Sequence, residues 1–227
     1  MGTCSVNYFE FLQRSAPLFA QGAWMTLKVL MTAGSLSISL GVLLGTVSSR
    51  QLRIPLLSSL VEVFTFTTRG IPFFVQLLIV YFVLPDLFGF NLDPFVASTL
   101  SLGICSSGYT AQFVRAALNA IPISQWEAAF TLGYTKMETI FQIILPQALR
   151  IILPSLNNEL DAMLKSTAVI SSIGLLELTR VGMNLVSREM EPVPIYLTLA
   201  LFYLCMSAAL VAVAKKLERK FAYVKNE

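Results

Sequence analysis

The chain contains no histidine, only three cysteines, and few charges: Asp, Glu, Lys and Arg make up 13% of its 227 residues. Without histidine the commonest metal ligand and the usual general base near neutral pH are missing. No serine, cysteine or carboxylate constellation suited to nucleophilic catalysis stands in its place. An enzymatic activity residing in this chain, or a metal site, is therefore not expected. Cys4, Cys105 and Cys205 show neither metal-ligand spacing nor an obvious pairing. Cys105 and Cys205 fall within apolar runs, where a free thiol packs as a small hydrophobe. The phosphate loop G-x-x-x-x-G-K-[ST] and the G-x-G-x-x-G turn are both absent, so the chain cannot bind and hydrolyse ATP by those means. The N-terminal 22 residues carry Arg14 as their single basic residue and no basic n-region, which argues against a cleaved signal peptide. Val6 stands where a myristoylation motif beginning Met1-Gly2 needs Ser or Thr. No tandem repeat or low-complexity tract is visible.

Apolar side chains dominate instead. They make up 56% of the sequence, and the mean hydropathy is +0.72, more than a soluble core of this size needs. Five apolar runs, about 24–47, 56–84, 95–118, 151–173 and 194–214, are each long enough to cross a bilayer. The second is longer than a span requires and contains Gly70, Pro72 and charged residues, so it is expected to tilt or break. The sequence predicts an all-α, polytopic membrane protein of about five transmembrane helices, with one transmembrane domain over residues 1–227.

Orientation follows from the basic residues, which collect on the cytoplasmic side. An odd number of spans puts the termini on opposite sides. With the N-terminus outside, the cytoplasmic segments hold Arg50, Arg53, Arg115, Lys136, Arg150, Lys215, Lys216, Arg219, Lys220 and Lys225. The outer segments hold only Arg14, Arg180 and Arg188, while Lys28, Arg69 and Lys165 fall within spans. This asymmetry accounts for the net charge of +3 without a nucleic-acid patch.

A polar segment at about 119–150 lies on the cytoplasmic side in this arrangement. It carries Glu127-Ala128-Ala129, three residues, Gly133, nine residues, and then Ile143-Ile144-Leu145-Pro146. Ala128 and Ala129 favour a helix of little bulk, and Gly133 permits a left-handed turn at its end. Pro146 is expected to forbid uninterrupted continuation of the second helix. Glu127 is expected to satisfy backbone donors at the helix start or to pair with a nearby base. Such a short rigid helix suits docking to a soluble partner, whose movement it can pass to the spans as a rigid-body push.

From Glu127 to Pro146 the segment resembles the EAA loop of bacterial ABC importer permeases, E-A-A-x3-G-x9-I-x-L-P, at every fixed position. The likeness continues through Gln147 to Arg150 and Leu153 to Thr167. Upstream it includes Arg69-Gly70-Ile71-Pro72 and Gln76-Leu77. Nearly the whole chain is thus similar to the polar amino acid subgroup, the histidine and glutamine type permeases. Ile71, Gln112 and Ser166-Thr167-Ala168 depart from that subgroup's pattern, and these departures bear on the substrate rather than on the importer class. The resemblance implies a permease subunit in the bacterial inner membrane, working as a homodimer or heterodimer. Its implied partners are cytoplasmic ATPase subunits and an extracytoplasmic amino-acid-binding protein. Glu127, Ala128, Ala129 and Gly133 would couple it to the ATPase, which uses the ATP; no cofactor is implied for this chain itself.

Ionisable residues inside a membrane are costly and mark pathways or pairs. Glu62, Arg69 and Gln76 recur at seven-residue intervals, which predicts one helical stripe facing a translocation path. Arg69 offers a bidentate, permanently protonated fork for an amino acid's carboxylate; the alternative is a structural bridge to Glu62 or Glu159. In the fourth span Asp161 and Lys165 are four apart and suit an internal pair. Glu159 has no base at that spacing and lies just after Pro154, which should loosen the helix. The substrate-binding candidates are Arg69, Gln76, Asn157, Glu159 and Asp161. Two acids beside one Arg suit a cationic amino acid such as arginine, lysine or histidine. Asn157, Asn158 and Gln76 would equally hold a neutral one such as glutamine. Gly41 and Gly45 form a small-xxx-small motif for close helix approach, within the subunit or at a dimer seam.

The expected function is transport of a polar amino acid across the cytoplasmic membrane as the permease of an ATP-driven importer. A secondary amino acid transporter, a permease for another small polar solute, and a non-transport scaffold are the alternatives. The charge asymmetry predicts that a cysteine introduced near Lys136 or Lys220 is shielded from an impermeant thiol reagent in intact cells, whereas one near Asp93 is labelled. Labelling near Lys136 from outside would reverse the orientation.

Overall fold

The computed structural model describes residues 8–221, with side chains from 13 to 220. Cys4, Lys225 and the Met1-Gly2 motif lie outside the described residues. Every regular element among them is helical. This is the arrangement that lipid imposes, because a helix satisfies its backbone polar groups internally.

Helix α1, Tyr8–Val47, is a 40-residue helix that begins well before the apolar run expected at 24–47. The second run breaks as its Gly70 and Pro72 predict. Helix α2, Pro55–Gly70, ends at an extended Ile71, and α3, Phe73–Leu78, sets off again. α3 continues through a π-helical turn, Ile79–Val83, into α4, Leu84–Phe88, and the two limbs meet at 101°. α5, Pro94–Ala120, is capped by Asp93, whose carboxylate accepts the Phe95 N–H at 2.9 Å. Its buried face is made of small residues, among them Ser101, Gly103, Ser106, Ser107 and Gly108.

α6, Ile123–Thr131, and α7, Lys136–Glu138, form the polar connection. A second π-turn, Thr139–Ile144, leads into α8, Leu145–Ser166, and a 3-10 segment, Thr167–Ile173. The expectation that Pro146 interrupts this helix is not met, because the chain runs on from Lys136 to Ile173 as one 38-residue helix. The Leu145 N–H reaches back five residues to the Ile140 carbonyl. That wider turn places Pro146 in the first turn of α8, where its missing N–H and its ring are tolerated. Pro85 is handled in the same way, with the Leu84 N–H bonded to the Ile79 carbonyl.

Helix α9, Leu178–Glu189, is an amphipathic element in a stretch left without structure between the fourth and fifth apolar runs. Its cap, Glu177, is fully buried and accepts the Thr179 and Arg180 N–H groups at 2.9 and 2.7 Å. Burial pushes the Glu177 carboxyl above its usual range, against the pull of those two donors. At the other end of α9, Glu189 bridges Arg14 at 2.7 Å and Arg188 at 2.9 Å. α10, Pro192–Phe221, completes the described chain.

Three helices, Gln13–Val47, Lys136–Ile173 and Pro192–Lys220, are long and apolar enough to cross a membrane, and the bent pair makes a fourth. α5 has the length, at 27 residues, but its serines and glycines dilute its apolarity. It lies in the middle, against α1, α2, α3 and α8.

The glycines of α1 and α5 set that packing. A Cβ on Gly41 would collide with the Thr110 side chain, one on Gly45 with the Ala111 carbonyl and Val114, and one on Gly103 with Leu36. The Gly41–Gly45 motif thus packs within the subunit. Gly41→Leu is expected to destabilise the subunit by about 1–3 kcal/mol or more, as overpacking does. Gly182→Ala, whose Cβ would meet Leu199 at an ordinary 3.4 Å, is expected to be neutral. Thermal unfolding of the two variants in detergent checks the contrast, and equal midpoints would refute it.

Candidate substrate cleft and coupling segment

The break after α2 leaves carbonyls without helical partners, and Gln76 takes them up. Its Nε2 donates to the Thr68 carbonyl at 2.7 Å and the Ile71 carbonyl at 2.8 Å, and reaches Cys105 Sγ at 3.5 Å. Gln76 is thereby committed to the backbone. The expected stripe of Glu62, Arg69 and Gln76 does not exist, because Gly70 to Pro72 end the helix between its second and third members. Glu62 faces Arg115 instead, at 3.4 Å.

Arg69, at the last turn of α2, lays its guanidinium over the Tyr109 ring, 5.2 Å from the centroid. The close approach of α2 and α5 needed for this is made at Gly108, where a Cβ would collide with the Thr68 hydroxyl. Glu159 of α8 accepts a 2.5 Å hydrogen bond from the Ser106 hydroxyl. Arg69, Tyr109, Ser106 and Glu159 line one cleft of about 340 Å³, closed by Ile71, Pro72 and Phe73 of the break and by Met163 and Ser166 of α8. A guanidinium, an aromatic face and a carboxylate thus meet in one half-enclosed space. Together they can hold a zwitterion, the cation taking its carboxylate and the anion its ammonium.

The other candidates fall elsewhere. Asp161 pairs with Lys165 at 2.6 Å and accepts from Ser207 of α10 at 2.5 Å, so the i, i+4 reading of that pair holds. It is not among the residues lining the cleft, and neither are Gln76 and Asn157. The Asn157 Oδ1 is buried without a hydrogen-bond partner among the described residues. Tyr109 and Ser106 carry weight that the sequence hardly displayed. The meeting of Tyr109 with Arg69, forty positions away, has no trace in local spacing.

In the polar connection, Ala129 is buried and Trp126 packs with Val114, Leu118, Ile144 and Ala148, which anchors α6 to the spans. Glu127 and Ala128 face outward. Glu127 lies beyond the first turn of α6, where its own N–H is already within the helix, so the expected role at the helix start is not met. Gly133 has the left-handed φ of +87°, with nothing within 4 Å of a Cβ. Conformation rather than space therefore calls for glycine there. The Tyr134 N–H returns to the Ala129 carbonyl at 3.0 Å and closes the helix end. Thr135 and Glu138 then form a reciprocal capping box that starts the next helix. Around Glu127, Phe130, Leu132, Met137 and Phe141 are exposed apolar side chains.

Residues 37–223 match the family described as binding-protein-dependent transport system inner membrane component. The chain is 36% identical over 207 residues to the glutamine transport system permease protein GlnP of Escherichia coli (strain K12), covering 90% of this chain and 93% of that protein. It is 31% identical over 204 residues to the arginine transport system permease protein ArtQ of Bacillus subtilis (strain 168), covering 90% and 92%. Its fold is similar to the crystal structure of an amino acid ABC transporter with histidines, with a TM-score of 0.85, 31% identity, and coverage of 95% of this chain and 99% of that one. Helical architecture, the matched length and these relatives agree, and the chain belongs to the family of binding-protein-dependent transport system inner membrane components.

Proposed function

We propose that this chain is the membrane-spanning permease subunit of an ATP-driven importer for a polar amino acid, with basic amino acids among its substrates. The observation that carries this reading is the cleft where Arg69, Tyr109 and Glu159 meet, in a chain whose relatives serve glutamine and arginine systems. Arg69 takes the substrate's carboxylate, Glu159 takes a cationic group, and Tyr109 braces the guanidinium from below. Gln76 acts indirectly, by holding the break that presents Arg69, and Asn157 and Asp161 support α8 from its other faces.

Residues 1–227 form one transmembrane domain crossing the inner membrane about five times, counting α5 and taking the bent α2–α4 pair as one span. The N-terminus is outside and the C-terminus in the cytoplasm, which puts α6 on the cytoplasmic side. ATP is hydrolysed by separate cytoplasmic ATPase subunits, and an extracytoplasmic binding protein delivers the substrate. A second permease subunit, identical or related, completes the membrane unit. The exposed Glu127 and Ala128 and the apolar side chains around them form the surface that meets the ATPase. α6 packs on the Thr139–Ile144 turn, and because Lys136 to Ile173 is one continuous helix, movement at its Lys136 end is carried to Glu159, about 35 Å along its axis at 1.5 Å per residue.

Gly133→Val places a β-branched residue at a positive φ, which it adopts poorly. Membrane insertion should survive, while substrate-stimulated ATP hydrolysis by the assembled complex falls. Normal stimulated hydrolysis would remove the coupling role from this turn.

Arg69→Gln should lose a charge-assisted contact of about 1.5–3 kcal/mol, roughly tenfold or more in transport affinity, with complex yield maintained. Arg69→Lys should recover only part of it, since an ammonium lacks the planar fork. Radiolabelled arginine and glutamine uptake into vesicles, measured beside complex yield, is the test. Wild-type uptake affinity in the Arg69→Gln variant, or in Arg69→Gln combined with Glu159→Gln, would overturn the assignment.

A further inference from the structure

Most hydroxyls on the two central helices bond to carbonyls of their own helix, as serine and threonine in helices commonly do. Ser35 and Ser39 of α1 do so at 2.7 and 2.8 Å, and Ser98, Ser101 and Ser107 of α5 at 2.6 to 2.7 Å. Three do not. Ser37, Ser106 and Thr110 are almost wholly buried between α1 and α5 and bond to one another instead. Ser106 donates to Glu159 Oε1, and Ser37 donates to Ser106 at 3.1 Å. Ser37 and Thr110 are 3.0 Å apart, with neither end fixed as donor by distance alone.

With Glu159 ionised, proton counting fixes it. Each hydroxyl has one proton to give, and a carboxylate can only accept. Ser106 gives its proton to Glu159, so it can only accept from Ser37. Ser37 is then committed as well, and Thr110 must donate to it. The chain runs one way, from Thr110 through Ser37 and Ser106 to Glu159. Its geometry depends on Gly41, where any side chain would displace Thr110. Glu159 Oε2 receives no hydrogen bond from the described residues.

We infer that Ser106 is a positioning residue. The Thr110, Ser37 and Ser106 hydroxyls form a one-way donor chain that holds Glu159 as an ionised acceptor, with its second oxygen left for a cationic group of the substrate. The inference rests on the proposed role of Glu159 in the cleft. Aligned donors polarise one another, so each link strengthens the bond to the carboxylate. The cleft thereby favours substrates that bring an ammonium or guanidinium to Glu159 and disfavours those that bring an acid.

The test is uptake of radiolabelled L-arginine and L-glutamine by the complete complex in proteoliposomes, with Ser106→Ala and Ser37→Ala made both in the natural chain and with Glu159→Gln. Ser106→Ala should raise the uptake KM about tenfold, as loss of a hydrogen bond to a charged group does. Ser37→Ala, one link further away and outside the cleft, should raise it about threefold. Both effects should disappear with Glu159→Gln, which has no charge for the chain to stabilise. Ser106→Thr, which keeps the hydroxyl, should retain most of the affinity. The infrared carboxylate band assigned by difference with Glu159→Gln should shift in Ser106→Ala and Ser37→Ala, a response that mere loosening of packing does not produce. Equal KM losses with and without Glu159→Gln, or an unshifted band, would overturn the donor chain while leaving Glu159 in the site. An unchanged KM in Glu159→Gln alone would remove Glu159 from the site, and the inference with it.

Discussion

The contact between α1 and α5 is the one from which the other features follow. Lipid supplies no hydrophobic drive between helices, so close association depends on shape and on polar groups satisfied between them. Gly41, Gly45 and Gly103 let the two backbones approach until any added side chain would collide. At that distance Ser37 and Thr110 come within hydrogen-bonding reach, and Ser106 is aligned to meet α8. Wider spacing would break both bonds of Ser37, leaving Ser37 and Thr110 buried without partners and Ser106 without the donor behind it. The same tight core makes α5 the centre of the subunit, at the expense of the apolarity that marks the other long helices.

Around this pair the chain uses its irregularities constructively. Gly70, Ile71 and Pro72 end α2, and the freed carbonyls are taken by the Gln76 amide rather than left exposed. The break brings Arg69 and the start of α3 to the wall of the cleft while Gly108 brings α5 against it. At Pro85 and Pro146 the helix widens for one π-turn, so neither proline stops it. The second of these is the more consequential. It joins the exposed surface beyond Gly133 to the carboxylate of Glu159 through one continuous helix, which is the mechanical requirement for a push at one end to be felt at the other.

Charge is distributed by the same logic of satisfaction. Asp161 has Lys165 and Ser207, Glu62 has Arg115, and Glu189 has two arginines, so these acids serve the fold. Arg69 and Glu159 differ, since each meets only neutral partners, an aromatic ring and a hydroxyl, and both line the same space. Opposite charges that share a cleft without pairing with one another are available to a third party carrying both signs.

The sequence by itself determined the helical class, the break at Gly70 to Pro72, the left-handed turn at Gly133 and the Asp161–Lys165 pair. Each of these is local: apolar run length, the backbone freedom of glycine, the missing N–H of proline, and a four-residue spacing all act within a few positions of the residue concerned. It also carried the polar connection and its family resemblance, because that pattern is continuous in the chain. Helix α9 makes no apolar run, because polar residues alternate with its buried face over only 12 positions, and the continuation through Pro146 is not legible because a π-turn leaves no compositional mark. The stripe of Glu62, Arg69 and Gln76 failed because periodicity assumes an unbroken helix, which the chain's own glycine and proline deny. Only the tertiary structure decided which charges meet. Arg69 with Tyr109, and Ser106 with Glu159, are separated by 40 and 53 positions. Nothing in local spacing encodes those encounters; the packing of α5 against α1, α2 and α8 creates them.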